Sequence, residues 1–280
     1  MKNIFVVGAG TMGLDIAQVF STAGFAVTIY DMTDEIIERS AARLEKGLQK
    51  RVDKGKLTPE QKAAVIGGIE FTTRYDNAKE ADLIIEAIIE SVEVKKTVFR
   101  NLDGICPERT VFATNTSSIS ITEIASATNR PDRCIGMHFF NPATVMKLVE
   151  VIRGMATSDE TFAAVYELSQ AIGKTPVEVS EAPGFVVNRI LIPMINEAIG
   201  LVAEGVASPE DIDTAMKLGA NHPMGPLALG DLVGLDVVLA IMDTIFNETK
   251  DPKYRAHPLL RKMVRANLLG RKTGKGFYRY

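Results

Sequence analysis

The sequence predicts an α/β protein: a doubly wound, mostly parallel sheet with an inserted helical hairpin, followed by an all-α C-terminal domain. Near the N-terminus a β-branched run, Ile4 to Val7, meets the turn Gly8-Ala9-Gly10-Thr11-Met12-Gly13, then a helical pattern, then a second apolar run ending in Asp31. From there to Ser180, apolar runs of strand length alternate with helical stretches, whereas beyond Pro183 only helical periodicity remains. Such alternation is what a parallel sheet needs, because parallel neighbours are joined by crossovers long enough to hold a helix.

A chain of 280 residues is long enough for two domains. The break Glu181-Ala182-Pro183-Gly184 divides it into residues 1–182, expected to bind a dinucleotide, and 183–280, expected to be helical. Hydrophobic residues make up 46% and charged residues 24%, the usual balance of a globular protein. A net charge of −3 gives no electrostatic basis for binding nucleic acid. The most apolar segment, Phe185 to Ala203, carries Asn188, Arg189, Asn196 and Glu197, which argues against a membrane span. The N-terminal apolar run is too short for a secretion signal. Cys106 and Cys134 form no CxxC and have no histidine at ligand spacing, so they read as reduced structural thiols in a cytoplasmic protein without a metal site.

Each part of the first unit has a physical task. Gly8 permits the tight turn, Gly10 lets a pyrophosphate approach the backbone, and Gly13 lets helix and strand pack closely. The following helix offers unpaired N–H groups, those of Thr11 and Met12 among them, to the phosphates. Asp31 suits the adenosine ribose hydroxyls, and its charge opposes a 2'-phosphate, which favours NAD over NADP. A glycine motif alone is a weak signal; here strand, helix and acidic terminus all fall where the motif needs them.

Asp34 to Lys56 and a second helix opened by Thr58-Pro59-Glu60-Gln61 read as a helical hairpin inserted in the sheet topology. Its basic cluster, Lys50, Arg51, Lys54 and Lys56, is either a solvated face or a site for a phosphate-bearing substrate tail. Strands are expected at Ile69–Thr72, Leu83–Ala87 and Val111–Thr114, with helical stretches around Tyr75–Glu80 and Val92–Leu102. Ligands sit at the carboxyl ends of such strands, which places Glu90 and Asn115-Thr116-Ser117-Ser118 to touch cofactor or substrate. The polar run also suits a helix cap, with Ser118 or Ser120 capping Ile121 to Ala127.

Arg133–Phe140 and Lys147–Ile152 are expected to pair as an antiparallel hairpin around Asn141-Pro142. Centred on Thr144, the hairpin sets His138 opposite Glu150, with Cβ atoms about 4.5–5.5 Å apart. A carboxylate at that distance orients the imidazole, fixes its tautomer and raises its basicity, as a general base requires. Thr175–Ser180 is the last strand. Phe185 to Glu204 is apolar almost all round, so it is expected to be buried by its own domain and by a second subunit. Asn188 near its start either satisfies the helix terminus or points across the domain crevice at substrate. Ser208-Pro209-Glu210-Asp211 caps a helix over Ile212–Leu218; a turn-rich loop from Gly219 to Gly234 then leads to a helix over Leu235–Phe246. His222 has no acidic partner in sequence and reads as structural, and Lys275 in the basic tail reaches an anion or is simply exposed.

Taken together, VGAGTMG, Asp31, NTSSI at 115–119, GMHFFNP at 136–142, MKLVEV at 146–151, PGFVVNRI at 183–190 and KTGKGFY at 272–278 resemble the 3-hydroxyacyl-CoA dehydrogenase family, in particular its short single-function members. The resemblance spans the whole chain, and HFFNP followed by PGFVVNR is far more specific than the glycine motif. It implies a Rossmann-like NAD domain and an acyl-CoA substrate such as acetoacetyl-CoA or 3-hydroxybutyryl-CoA. It implies that His138 is the catalytic base, Glu150 its orienting carboxylate, and Ser117 and Asn188 substrate contacts near the reacting carbon. Asn141 is implied as a contact of both cofactor and substrate, with Glu90, Lys95, Asn115, Ser117 and Lys275 near NAD. The hairpin lysines Lys50 and Lys54 are implied at the 3'-phosphate end of CoA. A homodimer through the C-terminal domain is expected. The remaining readings are a related dehydrogenase of a free hydroxy acid or sugar acid, and a non-catalytic NAD(H)-binding relative.

Overall fold

The computed structural model describes residues 1–280. It divides into two units, Met1–Glu181 and Ala182–Tyr280, each with its own buried apolar core.

The first unit runs β1 (Asn3–Val7), α1 (Thr11–Thr22), β2 (Ala26–Tyr30), α2 (Asp34–Asp53), α3 (Pro59–Gly67), β3 (Ile69–Thr72), β4 (Leu83–Glu86), α4 (Val92–Asp103), β5 (Val111–Thr114), α5 (Ile121–Ala125), β6 (Cys134–Phe139), β7 (Leu148–Arg153), α6 (Asp159–Ala171) and β8 (Thr175–Ser180). All eight strands form one sheet in the order β3-β2-β1-β4-β5-β6-β7-β8. Strands β1 to β6 are parallel, β7 pairs antiparallel with β6, and β8 runs parallel to β7. From β1 the chain winds first towards β3 and then, through β4, towards the opposite edge. That reversal opens a crevice beyond the carboxyl ends of β1 and β4, where open α/β sheets take their ligands.

Both faces of the sheet are covered, so strands such as β4 and β5 are buried at every position. Side chains alternate across the pleat: Val6, Ile29, Ile85 and Ala113 enter one core, while Phe5, Val7, Ile84 and Phe112 enter the other. The inserted hairpin is present as α2 and α3. Thr33 caps α2 and Thr58 forms a full capping box with Gln61. Lys62 joins the two helices by donating to Glu45 Oε1 and Gln49 Oε1.

Several expected elements differ in detail. The helical stretch expected over Tyr75–Glu80 is a 3-10 helix. Of the two serines expected to cap α5, Ser120 does so. β6 is shorter at each end than expected, and β7 lies one residue further along, yet Gly136↔Ile152 and His138↔Glu150 pair in the expected register.

The second unit contains α7 (Val187–Ala203), α8 (Pro209–Gly219), α9 (Pro226–Val233), α10 (Leu235–Thr249) and α11 (Pro258–Arg265). Helix α9 occupies what the sequence suggests is a turn-rich loop. Its N-terminus is capped from another helix: the buried Asp213 carboxylate of α8 accepts the N–H groups of Leu227 at 2.8 Å and Ala228 at 2.9 Å. Within one chain α7 is enclosed on one side only. Ile192, Ile195, Ala198 and Ile199 are buried, but Val186 and Ile190 at its start remain exposed. The C-terminal tail wraps around Asp231, whose carboxylate accepts the N–H groups of Phe277 and Tyr278 and the Tyr280 hydroxyl. A Cβ at Gly276 would lie 2.0 Å from Asp231 Oδ1, so the tail passes there only as glycine. No helix is long and apolar enough to cross a membrane.

Candidate active site

The glycine turn between β1 and α1 is built for close approach. A Cβ on Gly13 would stand 1.8 Å from the Gly8 carbonyl oxygen, and one on Gly8, whose φ is +103°, would stand 2.7 Å from the Ala87 carbonyl oxygen. Gly10 is the opposite case: its missing Cβ faces open space, with nothing within 4 Å. No side chain caps α1 at Gly10 and no acidic residue occupies its first turn, so the helix N-terminus presents its N–H groups to an incoming anion.

This turn forms one wall of a cavity of about 790 Å³ that also includes Thr11, Asp31, Arg39 and Arg43. Asp31 is held in place, Oδ2 accepting the Ala9 N–H and Oδ1 the Met32 N–H, each at 2.7 Å. Carboxylate oxygens have further lone pairs, so the grip leaves acceptor capacity for ribose hydroxyls. Helix α2 is tied to the same turn, because Ser40 Oγ donates to the Ala9 carbonyl at 2.6 Å and Arg43 donates to Thr11 Oγ1 at 3.2 Å. The clearance at Gly10, the uncapped helix and the Asp31 carboxylate fit a dinucleotide.

At the carboxyl end of β6 lies His138. Its Nδ1 is 2.7 Å from Glu150 Oε2 on β7, and both side chains are buried. Antiparallel pairing makes the contact, because the two residues are direct cross-strand neighbours. The carboxylate holds the ring proton on Nδ1, which makes Nε2 the basic nitrogen. A buried carboxylate without a partner is costly, and the imidazole compensates Glu150 in turn.

The ends of β4 and β5 add a polar cluster. Asn115 Oδ1 accepts the Phe139 N–H at 2.8 Å and so ties the end of β5 to β6. Glu90 Oε1 accepts the Thr116 hydroxyl at 2.5 Å, the Ser117 N–H at 2.9 Å and the Ser118 hydroxyl at 3.3 Å. Burial alone would raise the Glu90 pKa, but the Lys95 ammonium and the bonds from Thr116 and Ser117 outweigh it and hold the carboxyl below its ordinary value. Lys95 itself is buried between Glu86 and Glu90.

The structure thus gathers Glu90, Lys95, Asn115, Ser117, His138 and Glu150 around the carboxyl ends of β4 to β6. Asn141 is exposed just beyond β6, before a cis bond to Pro142. Lys50 and Lys54 are exposed near the far end of α2, roughly 15–20 Å along the helix from Ser40. Asn188 and Lys275 belong to the second unit. Asn188 is half-buried in the first turn of α7, and Lys275 is exposed in the tail, bridged to Gly270 and Arg279.

Sequence reasoning missed some members of this region. Glu86 and Thr114 underlie the cluster, and Asp15 with Lys174 clamps the loop after β6. Lys174 Nζ donates to the carbonyls of Ala143 at 2.5 Å and Met146 at 2.8 Å. Asp15 accepts from the backbone of Ala143 and Thr144; burial raises its pKa, opposed by the Arg43 charge and these hydrogen bonds. The available signal was a charged residue inside a run otherwise read as a buried strand, Leu83-Ile84-Ile85-Glu86.

Residues 3–182 match the family model of the 3-hydroxyacyl-CoA dehydrogenase NAD binding domain, and residues 184–280 match that of the C-terminal domain. A 3-hydroxybutyryl-CoA dehydrogenase of Clostridioides difficile is 61% identical over 278 residues, covering 99% of both chains. The human mitochondrial hydroxyacyl-coenzyme A dehydrogenase is 46% identical, covering 100% of this chain and 91% of its own. The crystal structure of (S)-3-hydroxybutyryl-CoA dehydrogenase from Ralstonia eutropha superposes with a TM-score of 0.97 at 51% identity, covering 100% of this chain and 99% of that one. The dinucleotide turn, the His138–Glu150 pair and both domain matches lead to one conclusion: the chain belongs to the 3-hydroxyacyl-CoA dehydrogenase family.

Proposed function

We infer that this protein is an NAD-dependent 3-hydroxybutyryl-CoA dehydrogenase, which oxidises (S)-3-hydroxybutyryl-CoA or related short-chain (S)-3-hydroxyacyl-CoA and reduces acetoacetyl-CoA in the reverse direction. The observation that carries this reading is the buried His138–Glu150 pair, in a sheet whose first crossover is a dinucleotide turn. When bound, NAD supplies the hydride acceptor, and NADH the donor. His138 Nε2 takes the proton of the 3-hydroxyl as its carbon is oxidised, and Glu150 stabilises the imidazolium that forms. In reduction, His138 returns the proton to the developing alkoxide.

Gly8, Gly10, Thr11, Met12 and Gly13 are assigned to the pyrophosphate and Asp31 to the ribose. Asp31 is held by backbone N–H groups and opposes a 2'-phosphate, so NAD is the preferred cofactor; Arg39 and Arg43 in the same cavity make that preference one of degree. Glu90, Asn115 and Lys275 are assigned to the nicotinamide half, with the buried Lys95 acting there through Glu90, Ser117, Asn141 and Asn188 to the acyl portion, and Lys50 and Lys54 to the CoA phosphate, on the motifs they occupy. The polar ends of β4 and β5 support the part of this assignment that falls there. We further propose a homodimer formed through residues 183–280 and a cytoplasmic location, the latter supported by two buried, unpaired thiols.

NADH consumption with acetoacetyl-CoA tests the function, with NADPH as the comparison. Wild-type protein is expected to turn over the thioester, and His138→Gln to lose about 10²- to 10⁴-fold in kcat while still binding NADH. Near-normal turnover by that variant would refute the base assignment.

A further inference from the structure

The last residue of β4 is a carboxylate set in the protein interior. Glu86 is 0% exposed, and Lys95, in the first turn of α4, is 1% exposed. Lys95 Nζ donates to Glu86 Oε1 at 2.6 Å and lies 3.2 Å from Glu90 Oε2. Glu86 Oε1 also accepts the Ile88 N–H at 2.8 Å, and Oε2 accepts the Thr114 hydroxyl at 2.7 Å. Thr114 Oγ1 in turn accepts the Thr116 N–H at 3.2 Å, while the Thr116 hydroxyl donates to Glu90 Oε1 at 2.5 Å.

These links close into a ring: Glu86, Lys95, Glu90, Thr116, Thr114 and back to Glu86. The ring joins the end of β4, the start of α4 and the loop after β5, which are separate in sequence. Two carboxylates share one ammonium, so the ring holds one surplus negative charge, and Glu90, whose side chain is 41% exposed, is the member that meets solvent. Glu90 also receives the Ser117 N–H at 2.9 Å.

We propose that Glu86 is a positioning residue for the dehydrogenase reaction: through Lys95 it fixes the orientation of Glu90, and thereby the loop that carries Ser117. Lys95 is enclosed by the two carboxylates and acts through Glu90. The proposal rests on the dehydrogenase reading of this site.

Glu86→Gln tests it, since glutamine keeps the shape and an acceptor for Lys95 but removes the charge. The kcat for acetoacetyl-CoA reduction is expected to fall about 10-fold or more, while the Kd for NADH, read from nucleotide fluorescence, moves less than about 3-fold; such a split marks an interaction that matters in the transition state. Combined with Lys95→Met, the double variant should lose no more than the worse single variant, because residues acting through one network are not additive. Thr114→Val opens the ring without touching a charge, removing both the bond to Glu86 and the one from the Thr116 N–H, and a loss in kcat of about 3-fold or more is expected; this variant carries the test should Glu86→Gln fail to fold. Wild-type kcat in both Glu86→Gln and Thr114→Val, additive losses with Lys95→Met, or a loss confined to NADH affinity would each overturn the proposal. Wild-type turnover, measured alongside, judges the dehydrogenase reading separately: an inactive wild type counts against that reading, and variants equal to an active wild type count against Glu86.

Discussion

Gly10 and Gly13, in one turn, are glycine for different reasons. Gly13 is required by the protein's own packing, since the Gly8 carbonyl oxygen stands 1.8 Å from where its Cβ would be. Gly10 has an ordinary φ of −66° and nothing within 4 Å, so folding alone makes no demand for glycine there. Gly10→Ala is therefore expected to unfold at the wild-type temperature yet bind NADH about 10-fold more weakly, about 1.4 kcal/mol lost at the pyrophosphate. Gly13→Ala is expected to lose about 1–3 kcal/mol of stability, because a backbone oxygen cannot yield as a side-chain tip can. Thermal unfolding and NADH titration of the two variants separate the roles, and an unaltered NADH affinity in Gly10→Ala would remove the functional reason for that glycine. Asp31 illustrates a third kind of constraint: it braces the Ala9 and Met32 N–H groups that shape the cavity before it meets any ligand.

Among elements, the ends of helices and of the tail are organised by buried carboxylates from elsewhere in the fold. Asp213 of α8 caps α9 and accepts the Tyr278 hydroxyl at 2.9 Å. Asp231 of α9 holds the tail through Phe277, Tyr278 and Tyr280. The KTGKGFY motif is thus a folded strap whose glycine lets the chain pass Asp231, in addition to any part Lys275 plays with cofactor. Asp231→Asn turns one of two acceptors into a donor facing an N–H group, and a buried donor left unpaired costs about 1–3 kcal/mol. The second unit is expected to unfold at lower denaturant by that amount, with an unchanged slope. A midpoint equal to wild type would mean that the tail is not held by Asp231.

At the scale of the whole molecule, the exposed start of α7 bears on assembly. Val186 and Ile190 stand one helical turn apart on the same side, and Ile190 is 69% exposed. A single chain leaves that apolar face in water, and a second copy would cover it. Sedimentation is expected to give twice the 30.5 kDa chain mass, with Ile190→Glu shifting the protein towards monomer; a monomeric wild type would end the homodimer proposal. What was legible in the sequence follows a physical rule. The His138–Glu150 contact was readable because a hairpin is symmetric about its centre, so the register follows from one turn position. Helix α9 was not, because its cap comes from Asp213 on α8, and local sequence carries no trace of a partner supplied by the fold. Glu86 was only half visible: a charge inside the run Leu83–Ala87 marks it as unusual, but its partners Lys95 and Thr114 arrive from two other elements. The antiparallel pairing of β7 with β6 makes the His138–Glu150 contact a matter of register. Side chains on a strand alternate between faces, so a slip of β7 by one residue against β6 would send Glu150 to the far side of the sheet while every residue keeps its chemical identity, and the buried Val149 and Val151 hold the register against it.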